Sequence, residues 1–210
     1  MKCEADIKSL LISNAIHLIA EGGFEKATTK ELTYYKGNLP GTKMNEVYIY
    51  RLFGGKESVY EAAFVYLDNE LYDAFQGGMK AIGNFGGDTK KKLYEFFLMA
   101  WNFVLKNEER FRCYVRYYYS VYFKGESLEK HNRHFDAIVE SFSPLFIEEA
   151  DVKSIMHSVF TALLDFAIRV YNGELENNDI NVPHIFNVLY CMMMTYLKSP
   201  EKSSSNTQLI

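Results

Sequence analysis

The sequence predicts an all-α protein of about nine helices, and three observations carry that reading. Apolar residues recur at helical spacing from one end to the other, no long run alternates with a period of two, and Gly or Pro falls where one helix would have to give way to the next. With 210 residues, 48% of them hydrophobic and 24% charged, the chain suits one small and one larger globular unit rather than a disordered polymer.

A first helix is expected over residues 6–21, with Ile7, Leu11, Ala15, Leu18 and Ile19 on its buried side. Gly22 and Gly23 should stop it, because glycine accepts the left-handed conformation of a helix end, and Phe24 then re-enters the core. Thr28 and Thr29 are good caps for a short helix to about residue 36; Gly37, Pro40 and Gly41 break the chain before another short helix at 44–53. A longer helix is expected over 56–75, and the stretch from Gly77-Gly78 to Gly86-Gly87 reads as punctuation between units. Asp88 or Thr89 then caps a helix rich in Phe and Tyr, followed by helical segments at 108–123 and 128–146. Asp151 opens a strongly apolar helix ending near Gly173, and Pro183, suited to a first helical position, opens the last one, which stops before Pro200. The tail 201–210, with Ser203, Ser204 and Ser205, is expected to be disordered.

Composition excludes several classes of function. Cys3, Cys113 and Cys191 lie far apart with no CxxC pair, which argues against a disulfide framework or a cysteine zinc site and fits a reducing cytoplasm. Glu4 and Asp6 precede a short apolar stretch and no segment reaches about 18 uncharged apolar residues, so neither a signal peptide nor a membrane span is expected. No glycine-rich phosphate loop, nucleophile elbow or HExxH pair occurs, so no enzyme and no cofactor is expected. The net charge of −4 counts against nucleic acid, but its distribution softens that objection. Residues 1–56 hold eight basic side chains against six acidic, net +2, whereas the remainder holds 15 against 21.

Two stretches in the first 57 residues, AIHLIAEGGFEKATTKEL and MNEVYIYRLFGGKE, have the order and chemistry of a known pattern. They resemble the DNA-binding domain of the TetR family of transcriptional regulators: an Ala/Leu-rich helix, a Glu-x-Gly-Phe turn, Thr-Thr, a short helix, a tight turn, then Tyr-x-Tyr-Phe-x-Ser-Lys-Glu. The resemblance implies a helix-turn-helix unit at 1–56 and a helical effector-binding and dimerisation domain at 57–200. Two short helices braced by a first are what is needed to present one helix to a major groove. Ile49 and Phe53, four apart, would hold that helix to the core and leave Asn45, Glu46, Tyr48 and Arg51 on or near its other side. By resemblance Tyr50, Lys56 and Thr29 are phosphate contacts, with Lys30 counted among the DNA-binding residues; Thr29 and Lys56 sit at helix starts, where anions are favoured. The sequence departs from the family pattern in two places. NLPGTK at 38–43 lengthens the turn, and Leu52 replaces an aromatic residue or histidine. The presented helix is therefore poor in cations, and Glu46 would repel phosphate unless it accepts from a cytosine amino group.

For the other half, the resemblance implies that the last two helices pair with those of a second subunit. Their apolar arcs, which include Val159, Phe160, Leu163, Leu189 and Met193, need cover on more than one side, from a partner subunit or from a thick intrachain core. The density of rings before them suits an apolar or aromatic small-molecule effector, with Trp101, Tyr118, Tyr122 and Arg116 as candidate contacts, although such stripes also build cores. Arg112 and Arg116 lie within helical reach of Glu108 and Glu109 and read as an exposed ion-pair face. His131 and His134 have a spacing that a metal could use, but in a polar stretch they read as a solvated pair, and no metal is expected. The expected partners are thus double-stranded DNA, a small-molecule effector and a second copy of the chain, with no membrane. The alternative is a helical ligand-binding or interaction protein of the same architecture without sequence-specific DNA binding.

Overall fold

A computed structural model describes residues 4–34, 44–82 and 88–198. The lengthened turn at 38–43, the glycines at 86–87, Cys3 and the tail 201–210 lie outside the described residues. Within them the chain forms nine α-helices and no strand: α1 (Glu4–Gly22), α2 (Thr29–Leu32), α3 (Val47–Phe53), α4 (Lys56–Ile82), α5 (Thr89–Lys106), α6 (Glu108–Tyr118), α7 (Gly125–Phe142), α8 (Val152–Tyr171) and α9 (Asn181–Met194). A 3-10 turn, Ser143–Leu145, follows α7, and an isolated antiparallel bridge joins Phe146 to Leu197. None of the described helices is long and apolar enough to cross a membrane.

The local chemistry explains most boundaries. Gly23 takes φ 79° and its N–H donates to the Ile19 carbonyl at 3.0 Å, ending α1 as a left-handed cap does. Of the two threonines, Thr28 is the cap of α2: its hydroxyl accepts from the Glu31 N–H at 3.2 Å, and Thr29 is the first helical residue. The presented helix starts at Val47, three residues later than expected, because the Asn45 side-chain carbonyl accepts from the Val47 N–H at 3.0 Å and fixes the start there. Asp88 and Asp151 cap α5 and α8 as the sequence suggests, each accepting from the N–H three residues on. Helix α9 begins two residues before Pro183, because the Asn178 side chain accepts from the N–H groups of Ile180 and Asn181.

Two expectations are corrected. Gly77 and Gly78 lie inside α4, which runs past the expected end near residue 75 to Ile82. A Cβ at Gly78 would stand 3.3 Å from the ring of Phe96, so the missing side chain lets α4 and α5 approach closely, which offsets the roughly 1 kcal/mol that an interior glycine costs relative to alanine. Helix α6 ends at Tyr118 rather than near 123: the Ser120 hydroxyl donates to the Tyr117 carbonyl at 2.7 Å and accepts from the Tyr122 N–H at 3.1 Å, turning the chain toward α7.

Helix α4 is central, packing against α1, α3, α5, α6 and α7, while α8 and α9 pack on each other and on α5. The most extensive helix pairing is α1 on α6, so the N-terminal three helices are seated on the larger half through α1. One continuous apolar core results, from Ile7 and Leu11 through Tyr60 and Phe64 to Phe160 and Leu189.

Candidate nucleic-acid interface and effector cavity

At the N-terminal end, Ile49 is fully buried and half-buried Leu52 and Phe53 pack beside it, anchoring α3. The outward positions of α3 are Val47 and Tyr50, each 61% exposed, and Arg51, spaced three and four residues apart so that they share a face. Asn45, Lys30 and Lys56 are exposed, while Thr29, Glu46 and Tyr48 are half-buried. The eight residues expected to meet DNA thus all reach solvent at this end. Two have local commitments the sequence did not reveal. Arg51 donates to the Glu4 carboxylate at 2.8 Å and lies over the Tyr48 ring, so an anion from α1 shares the cation of α3. Asn45 spends its carbonyl oxygen on capping. Val47, which the sequence reading does not single out, stands on the same outward face with an apolar, β-branched side chain.

The larger half contains an apolar cavity of about 80 Å³ between α4, α5, α7, α8 and α9, walled by residues such as Phe75, Phe96, Phe142 and Phe186 with no polar side chain among them. All five residues expected to face a partner subunit, Val159, Phe160, Leu163, Leu189 and Met193, line this cavity. Phe160, Leu163, Leu189 and Met193 are buried within the chain, so of the two covers the sequence allows, intrachain core accounts for that side of each arc. The outward side of α9 carries His184, Asn187, Val188, Cys191 and Met194, with Val188 49% and Met194 51% exposed.

The four expected effector contacts are dispersed, and none lines the cavity. Trp101 is buried core, its indole N–H donating to the Asn177 side-chain oxygen at 3.0 Å and its ring stacked on Phe97. Tyr122 packs against Phe24 and Tyr60 where the end of α1 meets α4. Burial, with Tyr122 and Glu57 nearby, pushes the Tyr60 hydroxyl up to about 12, and that hydroxyl donates to the Ala27 carbonyl. Arg116 donates to the Ile19 carbonyl at 2.8 Å and so ties α6 to the last turn of α1. Tyr118 belongs to a separate cleft between α7 and α8. Arg112 makes the expected helical ion pair with Glu108 at 2.8 Å, and also donates to the Tyr171 carbonyl.

His131 and His134 are not solvated. Their Nδ1 atoms lie 2.8 and 2.7 Å from separate oxygens of Asp68 on α4, and the Tyr114 hydroxyl donates to Asp68 Oδ1 at 3.2 Å. Asp68, His131 and Tyr114 are buried. Burial alone would raise the Asp68 carboxyl, but the hydrogen bonds and charge of the two histidines outweigh it and hold it below the ordinary carboxylate value. Burial, with Asp68 beside it, pushes the Tyr114 hydroxyl well up. Among the described residues no set of three or more His, Cys, Asp or Glu side chains is placed to hold a metal ion. The cluster adjoins the apolar cavity: Phe75, Ile138 and Phe160 line both the cavity and the small gap beside Asp68.

No protein-family model matches the chain, and no curated protein does. Solved structures do match it. A TetR family transcription regulator from Marinobacter aquaeolei VT8 aligns over 93% of this chain and 97% of that one with TM-score 0.69 at 14% identity. A putative TetR family transcriptional regulator from Vibrio parahaemolyticus aligns over 92% and 100% with TM-score 0.66 at 17% identity. The fatty acid degradation regulator FadR from Bacillus halodurans aligns over 86% and 96% with TM-score 0.63 at 16% identity. The chain therefore has the all-α fold of TetR-type regulators over most of its length.

Proposed function

We propose that this chain is a TetR-family transcriptional regulator: a cytoplasmic homodimer without enzymatic activity that represses by binding a palindromic operator and responds to an apolar or aromatic small molecule. The observation that carries the reading is α3, a seven-residue helix anchored through a fully buried Ile49 while Val47, Tyr50 and Arg51 stand outward together. A helix so presented fits the major groove, and two of them related by a twofold axis read half-sites about 34–36 Å apart or a multiple of that. Asn45, Glu46 and Tyr48 meet base edges, while Tyr50, Lys56, Thr29, Lys30 and Arg51 meet phosphates. Residues 1–56 form the DNA-binding unit and 57–200 the regulatory domain, with α4 crossing from one to the other.

At about 80 Å³ the wholly apolar cavity is smaller than the roughly 300–1,000 Å³ of small-molecule sites, so an effector seated there requires α8 and α9 to move outward. Effector binding reaches the reading helix through α4 and through the Arg116–Ile19 contact between α6 and α1. It changes DNA affinity only by the difference in the effector's affinity for the two dimer geometries. The twofold contact uses the outward side of α8 and α9, with Val188 and Met194 at its centre. Selection of bound sites from random duplex DNA tests the reading: enrichment of a palindrome with half-sites one turn apart supports it, and no enrichment refutes it.

The second reading, a ligand-binding or interaction protein that no longer reads DNA, is favoured by the Arg51–Glu4 pair, which occupies the one Lys or Arg of α3. That reading requires no binding to any duplex even at low salt, where phosphate attraction is strongest.

A further inference from the structure

We propose that Val47 reads one base in each half-site and that the base is thymine, recognised by its methyl group. The inference rests on the proposed reading of duplex DNA and deepens it by naming the base. Val47 is 61% exposed, on the face of α3 that also carries Tyr50 and Arg51. A helix laid in a major groove meets base edges with its leading turn. Val47 is the outward residue of that turn, and Tyr50 and Arg51, assigned to phosphates, stand one turn behind it.

The polar ways of identifying a base are poorly served on this face. Guanine is usually read by Arg or Lys, which bond O6 and N7 together, and adenine by Asn or Gln, which use both ends of the amide. The one Lys or Arg of α3 is Arg51, which donates to the Glu4 carboxylate at 2.8 Å and lies 4.9 Å from the centre of the Tyr48 ring. Both side chains of that pair are more than half exposed, so it is weak and can exchange the carboxylate for a phosphate. A neutral base edge offers less in place of the lost anion. Asn45 accepts from the Val47 N–H at 3.0 Å through its Oδ1, and its Nδ2 alone makes a single bond to acceptors that both purines present. Glu46 and Tyr48 are half-buried.

The Val47 side chain has neither donor nor acceptor. The apolar mark on a base-pair edge in the major groove is the C5-methyl group of thymine, and contact with it is the base-specific interaction open to such a side chain. A polar base atom set against Val47 would lose water without gaining a partner, so the same residue discriminates against the other bases. Branching at Cβ restricts the two methyl groups of Val47 to few rotamers, so the contact orders little that is not ordered already.

The test uses the full chain, a duplex that it selects from a random pool, and the same duplex synthesised with deoxyuridine at each thymine in turn, symmetrically in both half-sites. Deoxyuridine keeps the pairing and lacks only the methyl group. One thymine in each half-site is expected whose replacement in both weakens binding about tenfold, the weight of one buried methyl contact at each of two half-sites. Val47→Ala keeps the backbone N–H that Asn45 caps and leaves the buried Ile49 in place, so the fold should be unchanged. That variant should bind the thymine duplex about as weakly as the parent binds the deoxyuridine one, and should not respond to the replacement. Parent binding that is indifferent to deoxyuridine at every thymine would overturn the proposal without any variant, and so would a deoxyuridine loss that persists undiminished in Val47→Ala; duplex binding itself would stand in both cases. A parent that selects no duplex would refute the reading of DNA and this proposal with it.

Discussion

The N-terminal end and the larger half are both built from helices at ordinary spacing, yet the groups proposed to act in them are assembled in opposite ways. At the N-terminal end, six of the eight residues proposed to meet a duplex lie between Asn45 and Lys56, on a helix of seven residues and the turns flanking it. In the helical half, Asp68 and His134 are 66 residues apart, and the cavity draws its wall from five helices. The first kind of site depends on one helix start and one buried anchor. The second depends on the whole core, so substitutions there should cost far more stability than substitutions at the reading helix.

Phe160→Ala should show the largest effect. The ring lines the cavity and is 7% exposed, so its loss enlarges a void that already exists and should destabilise the chain by about 3–5 kcal/mol in chemical denaturation. Beyond the usual dependence on assembly, that cost should appear at every protein concentration. Met194→Glu, on the outward side of α9, should instead shift the monomer–dimer equilibrium in sedimentation and leave the helical fold intact. A dimer unaffected by Met194→Glu and by Val188→Glu would move the twofold contact off α9.

Asp68→Asn should cost about 3 kcal/mol, because it removes the charge that holds two histidines while leaving them at a buried site. The pH dependence has a definite sign. The folded-state pKa of Asp68 is depressed, so its contribution is complete above the unfolded value of about 4 and is lost as pH falls through the folded value. The stability gap between the parent and Asp68→Asn, measured by urea titration across pH, should therefore be full near neutrality and narrow below about pH 4. A gap that widens on acidification would remove the carboxylate from the account.

Asn45 gives a smaller effect and separates two roles. Asn45→Ala should cost about 1 kcal/mol through loss of the cap on α3, whereas Asn45→Ser keeps a capping oxygen and should be nearly neutral. If Asn45 also reads a base, both variants lose preference at the same base pair in a site-selection experiment. If it only caps, Asn45→Ser reads the parent's operator.

What the sequence disclosed follows the same division. The helices, the caps at Thr28, Asp88 and Asp151, and the core-facing positions Ile49 and Phe53 of α3 all depend on neighbours within a turn or two, which local spacing records. A periodic apolar arc says that a face is buried but not by what. Phe160 and Leu189 consequently read as partner-facing when they line the chain's own cavity. His131 and His134 read as solvated because their partner lies on α4, far away in the chain. Gly77 and Gly78 read as a break because nothing nearby announces that Phe96 would pack over the missing side chain.

The central claim, that α3 and the start of α4 engage a duplex, is tested most directly by the salt dependence of binding for the parent and Lys56→Ala on one duplex. Lys56 is exposed at the first position of α4, and removing a phosphate contact should lower the slope of log K against log salt by about 0.9 for each subunit, while weakening binding to all sequences alike. A parent that binds with a steep slope, and a variant with a slope reduced by about 1.8 per dimer, is the predicted result. Identical slopes, or no binding by the parent at low salt, would contradict it.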